Sequence, residues 1–404
     1  MSESLFLSLF VLLIGGFMLV MLLMTPVLSS VNRRYGESIP LSYAHAPQLK
    51  DADRTFTTNL LAVSLPLIAL ATYLASVNET TGLVLLGVLP FVQLGAGAWA
   101  ITRARRVVRK LKTSENWYSG IETGRTFDIQ AQRAQPLTLP RGWFLASALI
   151  VLLWAVVLAI KYPALPDPYP VHFNAVGEAD GWGEKSVGAV FMPWLVGLGT
   201  LVLMWGCAVF MSKQLTASNG GGTALMSVSK KLPLDSEVFT SALGISAADY
   251  LKMRNIVVTQ KSLHLLCIFT FLMTALLAFM DLGSLVALPG WLRASQLWIF
   301  MAVILSFCLL MTLSAARAGK SLDAAVLQIA QVGAVDPAEL ELPDESNHIK
   351  FGIFYYNPDN PNMMVPKHIG VGVSPNWAHP GSWVFGGVVV LSVLAAIVLP
   401  LVAS

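Results

Sequence analysis

Apolar residues in this chain come in long unbroken blocks, and short polar stretches separate them. Uncharged runs long enough to cross a bilayer occupy 5–28, 59–77, 82–101, 143–160, 187–211, 263–280, 297–316 and 383–402. A hydrocarbon layer about 30 Å thick takes about 20 helical residues, and a helix that is apolar on every side is buried in protein or in lipid. The pattern predicts an all-α polytopic membrane protein with about eight transmembrane helices. Trp143 opens one run, Arg103 follows another, and Trp291 with Arg293 precedes a third, the places where amphipathic rings and snorkelling cations are favoured. The run at 5–28 is too long for the apolar part of a signal peptide and has no basic segment before it, so it reads as a retained span.

Basic residues set the expected orientation. Of the 26 Lys and Arg, 23 lie in the segments after runs one, three, five and seven, and only Lys161, Lys185 and Arg293 lie elsewhere. Cytoplasmic loops accumulate these residues, which predicts a multi-pass bacterial cytoplasmic (inner) membrane protein with both N and C termini outside. The net charge of +3 is thereby explained by topology and points to membrane lipids, not nucleic acid, as partner. The run RARRVVRK at 103–110 reads as a topology anchor continuing the third span. Asn78-Glu79-Thr80 matches a glycosylation sequon, but its position between runs two and three makes it a helix-hairpin turn.

Composition agrees, with 55% hydrophobic and 12% charged residues against about 25% charged in soluble domains. Cys207, Cys267 and Cys308 all lie within apolar runs without a CxxC pair, so neither a disulfide nor a zinc site is expected, and no cofactor is indicated. None of the eight runs contains Asp, Glu, Lys or Arg, which argues against an ion-coupled transporter, since such proteins need ionisable groups within the bilayer. His264, one residue into the sixth run, reads as an interfacial anchor. No phosphate-binding loop, dinucleotide fingerprint, HExxH or GxSxG motif is present, so nothing indicates an enzyme.

The expected organisation is a three-span region at 1–141 with basic loops, and a two-span region at 142–213 carrying an external loop at 161–186. A cytoplasmic loop with two spans follows at 214–316, then a cytoplasmic β-rich element at 317–382 and a last helix at 383–404. Chemistry must be sought in the polar segments. Residues 165–186 read LPDPYPVHFNAVGEADGWGEKS. Pro166, Pro168 and Pro170 forbid helix and favour an extended path; Gly177, Gly181 and Gly183 permit tight turns. His172, Phe173, Asn174, Glu178, Asp180, Trp182 and Lys185 then form a small structured lobe. Three readings stay open: a loop whose Asn174 and Asp180 satisfy turn backbones, a recognition surface for an external peptide or lipid, or a metal or catalytic site built on His172, Glu178 and Asp180.

The positions Leu165, Pro166, Pro170, His172, Phe173, Asn174, Gly177, Asp180, Trp182 and Lys185 give this loop a resemblance to a bacterial membrane-protein domain of unknown function. That domain is also found in SdpI, an immunity protein against a sporulation-delay toxin. The resemblance implies a multi-span inner-membrane protein, and in the toxin case immunity with signalling.

In the segment after run seven, 321–332 has helical spacing, 337–345 is acidic and turn-rich, and 351–383 alternates apolar and polar residues between Pro, Asn and Gly clusters. Short strands and tight turns are expected there. The residues Phe354, Tyr355, Tyr356, Asn357, Pro358, Pro361, Val365, Pro366, Lys367, Gly370 and Gly372 make it similar to a second domain of unknown function often attached to the first. The stretch YGESIPLSYAHAPQLKDADRTF after run one resembles the start of such proteins. His348, His368 and His379 share no helix face at ligand spacing and read as surface or turn residues. Tyr355, Tyr356 and Trp377 are expected in the element's own core or against a cytoplasmic protein partner.

The function expected from these features is extracytoplasmic recognition of a peptide or toxin, in immunity or envelope sensing. The alternatives are an uncoupled transporter or lipid-handling protein, and a membrane-embedded metalloenzyme.

Overall fold

The computed structural model describes residues 3–119, 137–174, 177–214, 247–286, 288–332, 344–351, 353–360, 363–367, 373–384, 386–387 and 391. The helices are α1 (Glu3–Leu23), α2 (Thr25–Leu28), α3 (Leu49–Val77), α4 (Glu79–Ser114), α5 (Arg141–Lys161), α6 (Val187–Gln214), α7 (Ala247–Ser284) and α8 (Gly290–Val332). Among the described residues seven helices, all but the short α2, are long and apolar enough to cross a membrane. The chain is an all-α polytopic membrane protein. The expected span at 383–402 falls almost wholly outside the described residues.

Helix α5 shows why these helices need lipid. Phe144, Ser147, Val151, Trp154 and Leu158 form a single buried stripe, while Leu145, Leu149, Leu152, Leu153, Val156 and Ile160 are exposed. An apolar face of that width left uncovered by protein is stable only against hydrocarbon.

Two compact units divide the chain. One comprises 1–129, 222–257 and 315–404, with α1, α3 and α4 packed side by side. Its core contains Leu19, Phe56, Leu60, Ile68, Ala100, Ala104 and Val108. Within the bilayer the contacts that hold helices together are close packing and hydrogen bonds. The fully buried Gln93 of α4 supplies one, donating to the Gly15 carbonyl of α1 at 2.9 Å. The sequon-like turn is the N-cap of α4, where Asn78 Oδ1 accepts from the Thr81 amide at 2.9 Å.

The other unit comprises 130–221 and 258–314. Here α5 and α6 pack closely enough that a Cβ on Gly197 would lie 2.4 Å from the Trp154 ring. Trp194 of α6 donates to the Val151 carbonyl of α5 at 2.9 Å.

Among the described residues, eight short strands pair as four antiparallel two-stranded ribbons: β1 (Arg33–Arg34) with β2 (Glu37–Ser38), β3 (Tyr169–Phe173) with β4 (Ala179–Gly183), β5 (Ile349–Lys350) with β6 (Phe354–Tyr355), and β7 (Met364–Pro366) with β8 (Val373–Pro375). The last two ribbons match the expected β-rich element. The helical spacing at 321–332 is a continuation of the seventh span, because α8 runs unbroken to Val332.

Two expectations change. The sixth span does contain an ionisable group: α7 continues a further turn to Ser284 and carries Asp281 inside it. Its carboxylate is tolerated because the buried Trp154 indole donates to it at 2.7 Å, which satisfies a group that is costly when unpaired. The basic run is also more than an anchor. Arg105 and Arg109, with Lys112 one turn on, recur at i, i+4 and i+7, so they share one face of α4, and that face holds a buried carboxylate.

Candidate functional site

The loop between α5 and α6 is a built hairpin. Lys185 closes its base: the ammonium donates to the Leu165 carbonyl at 3.0 Å, the amide donates to Asp167 Oδ1 at 3.3 Å, and the Tyr162 ring lies 5.7 Å below the charge. Ser186 then caps α6, its Oγ accepting from the Ala189 amide at 3.1 Å. At the tip, Asn174 receives the Gly177 amide on its carbonyl at 2.9 Å and the Glu178 amide on its side chain at 2.9 Å. Gly177 has φ +77°, and a Cβ there would meet the Arg293 carbonyl oxygen at 2.9 Å. Only glycine meets both conditions.

Tyr169 at the start of β3 anchors the hairpin. It is buried with Trp154, Leu158, Val190 and Ala278. Burial pushes its phenol above the usual range, the Asp281 charge adds to that, and a hydrogen bond with Ser284 acts in the opposite sense. The motif resemblance did not include Tyr169. Nor does alternation along the strand mark it, because Val171, two residues on, is exposed while Tyr169 is buried and the register shifts between Pro170 and Phe173.

The residues that remain point outward. Val171, Phe173 and Trp182 are exposed by 52%, 40% and 56%. Between them His172 Nδ1 meets Asp180 Oδ1 at 2.6 Å, with both side chains exposed. A carboxylate only accepts, so Nδ1 carries the proton and Nε2 is left as the outward polar atom. Gly181 makes room for this pair, because a Cβ there would lie 2.7 Å from the His172 Cβ. The candidate loop residues thus divide: Asn174, Gly177 and Lys185 build the hairpin, and His172, Phe173, Asp180 and Trp182 are presented by it. Pro166 is exposed and Pro170 half-buried, opposite Trp182. Glu178 enters through its backbone. Among the described residues, no three His, Cys, Asp or Glu side chains come together as metal ligands.

The C-terminal motif has a different character. Tyr355 is buried with Ile349 and Val365, and its hydroxyl accepts from Asn357 and Asn360 at 3.1 Å each. Burial pushes this phenol up. The fully buried Asn376 ties the turn at Asn357 and Pro358 together: it donates to the Asn357 carbonyl at 2.8 Å and accepts the Asn357 amide at 3.0 Å. Sequence reasoning missed Asn376, whose partners lie 16 to 19 residues away. His379 is engaged with the Asn360 carbonyl at 2.8 Å. Trp377 packs edge-on against Phe354 and Trp383, and Tyr356 is exposed. Lys367 offers its carbonyl to Arg33 at 3.0 Å, and Pro366 ends β7. Pro361, His368, Gly370 and Gly372 lie outside the described residues.

The unforeseen part of this unit is Glu37. Tyr35 and Gly36 both have positive φ, 50° and 80°, in the two-residue turn joining β1 to β2, as a type I′ turn requires. The turn places the fully buried Glu37 carboxylate against Arg105 at 2.7 Å, Arg109 at 2.9 Å and Lys112 at 3.5 Å. Arg105 also donates to the Ile349 and Ser346 carbonyls at 2.9 and 2.7 Å, and Lys112 reaches Asp344 at 2.6 Å. Burial raises the Asp344 carboxyl, but the bonds and charge of Lys112 with those of Ser346 outweigh it and hold the group below its ordinary value. Beside the turn, Tyr35 donates to Asp53 Oδ1 at 2.9 Å and Arg34 pairs with the same carboxylate. Burial and the Asp53 charge push the Tyr35 phenol upward.

A family model for a domain of unknown function, DUF1648, matches residues 148–197, from within α5 through the whole hairpin and into α6. That domain is found in SdpI-like membrane proteins. No curated protein and no solved structure matches the chain.

Proposed function

We propose that the β3–β4 hairpin is a recognition element on the outer face of a bacterial inner membrane, where it meets a peptide or toxin in immunity or envelope sensing. The observation that supports this most is the division of labour in the hairpin. Its fold rests on Tyr169, Asn174, Gly177 and Lys185, while Val171, Phe173 and Trp182 stay exposed around the His172 and Asp180 pair. Of these, Trp182 is of the residue type most enriched in binding hot spots. Asp281 serves this arrangement as a support, since it holds the Trp154 indole beneath Tyr169, and this role accounts for a carboxylate within a span without an ion pathway.

The test is genetic. A deletion strain is challenged with secreted peptide toxins, then complemented with wild type, with Trp182→Ala and with Asp180→Ala, membrane abundance being followed by immunoblot. The expected result is sensitisation rescued by wild type and by neither variant at equal abundance. Rescue by both variants overturns the reading. Parallel loss of abundance and rescue assigns the exposed rings to seating the hairpin in the lipid interface.

A further inference from the structure

A second site lies in the unit that contains α4. Thr102, Arg105, Arg106, Arg109, Asn347, Ile349, Lys350 and Phe351 line an open cavity of about 470 Å³. Four of these carry positive charge and none is acidic. The Glu37 carboxylate behind them takes up much of Arg105 and Arg109. Among the described residues Arg106 has no hydrogen-bond or ion-pair partner, and the Lys350 ammonium has the Asn347 carbonyl alone, at 3.3 Å. The cavity therefore presents unspent N–H donors and positive charge, which suits an acceptor-only anion.

Its position narrows the ligand. The apolar run of α4 ends at Ile101, and 102–109 rises over about 10 Å at 1.5 Å per residue. The headgroup layer on each side of a bilayer is about 5–8 Å deep, so the cavity opens at that level. Trp99, exposed beneath Arg103 at 5.2 Å, marks the same interface. Phe351, 80% exposed, stands at the cavity's rim with φ +52°, a conformation that a bulky residue rarely adopts. Its carbonyl oxygen lies 3.4 Å from the Thr102 hydroxyl, whose proton is given to the Ala98 carbonyl at 2.9 Å. An apolar ring beside the Arg106 and Lys350 cations complements a ligand that is charged at one end and carbon-rich at the other. The volume is also within the range of about 300–1,000 Å³ typical of small-molecule sites, so it accommodates more than a bare inorganic anion.

We propose that this cavity binds a phosphate ester, presented either by an anionic lipid headgroup or by a soluble phosphorylated molecule. The test uses the purified full-length protein in phosphatidylcholine nanodiscs. In one arm phosphatidylglycerol is titrated into the bilayer and its retention is read by native mass spectrometry; in the other, glycerol 3-phosphate is titrated and read by calorimetry. Saturable binding in the lipid arm identifies a headgroup, and saturation in the soluble arm alone identifies a soluble ester. In either case Arg106→Gln and Lys350→Gln each weaken binding about tenfold, as loss of one charge-assisted hydrogen bond predicts. Both residues are exposed, so these variants fold. Lys110→Gln, on the same helix and outside the cavity, leaves binding unchanged. Absence of saturation in both arms overturns the proposal, and so does a Lys110→Gln effect equal to that of Arg106→Gln, which reduces the attraction to diffuse charge.

Discussion

The two β-hairpins at 33–38 and 169–183 each present an acidic side chain to a basic one at nearly the same distance, and burial gives the two pairs opposite roles. Glu37 and Arg105 meet at 2.7 Å with side chains 0% and 9% exposed, whereas Asp180 and His172 meet at 2.6 Å with 40% and 72% exposed. Charges taken out of water are costly to leave unpaired, so a buried pair constrains everything around it. Exposed charges remain hydrated and contribute little to folding. The first pair is therefore architecture, and the second is not committed to holding the fold together.

The comparison breaks most readily at Glu37. Glu37→Gln leaves the Arg105 guanidinium buried without a counter-charge and is expected to destabilise the protein by about 3–5 kcal/mol, read by thermal unfolding in nanodiscs and by protease resistance of 344–367. A loss below about 1 kcal/mol would mean the cluster is hydrated and not a buried ion pair. Arg109→Gln should be milder, at about 1 kcal/mol, because that guanidinium is half exposed and Arg105 still faces the carboxylate.

Acid sharpens the same point. The Asp344 carboxyl is held below its ordinary value of 3.8. Its contribution is thus complete above that value and is lost as pH falls through the lower folded-state value, since the unfolded chain then takes up protons more readily. The wild type is expected to lose protection of the C-terminal segment on acidification through that range, and Asp344→Asn to show a smaller dependence. Identical pH profiles would remove Asp344 from the tether. The smallest effect is reserved for the exposed pair. His172→Ala and Asp180→Ala should each change stability by less than about 1 kcal/mol while removing protection in the toxin assay, and a double-mutant cycle should give near-zero coupling in unfolding.

What the sequence revealed follows from how far apart the interacting residues are. The first seven spans, the Asn78 turn and the helical continuation of the basic run rest on local spacing, and each was legible. The loop at 165–186 was recognisable as ordered from its prolines and glycines, but its pairing was not, because the bulged register between Pro170 and Phe173 disguises the alternation. Asp281 was missed because it stands one residue past the uncharged run, where only the Trp154 indole 127 positions earlier explains it. Glu37, within the stretch YGESIPLSYAHAPQLKDADRTF, was not singled out, since its cations lie 68 to 75 residues downstream.

The bonds from Arg105 to Ser346 and Ile349, separated by 241 and 244 residues, also impose an order on biogenesis. Ribosomes add about 5–20 residues per second, so on the order of 10–50 s pass between synthesis of the guanidinium and synthesis of the carbonyls that complete it. Through that interval α4 is already made while the end of its basic face awaits the last polar segment. Chains whose synthesis stops before Ser346 keep the Glu37 partner of Arg105 and lack the two carbonyls that complete its guanidinium.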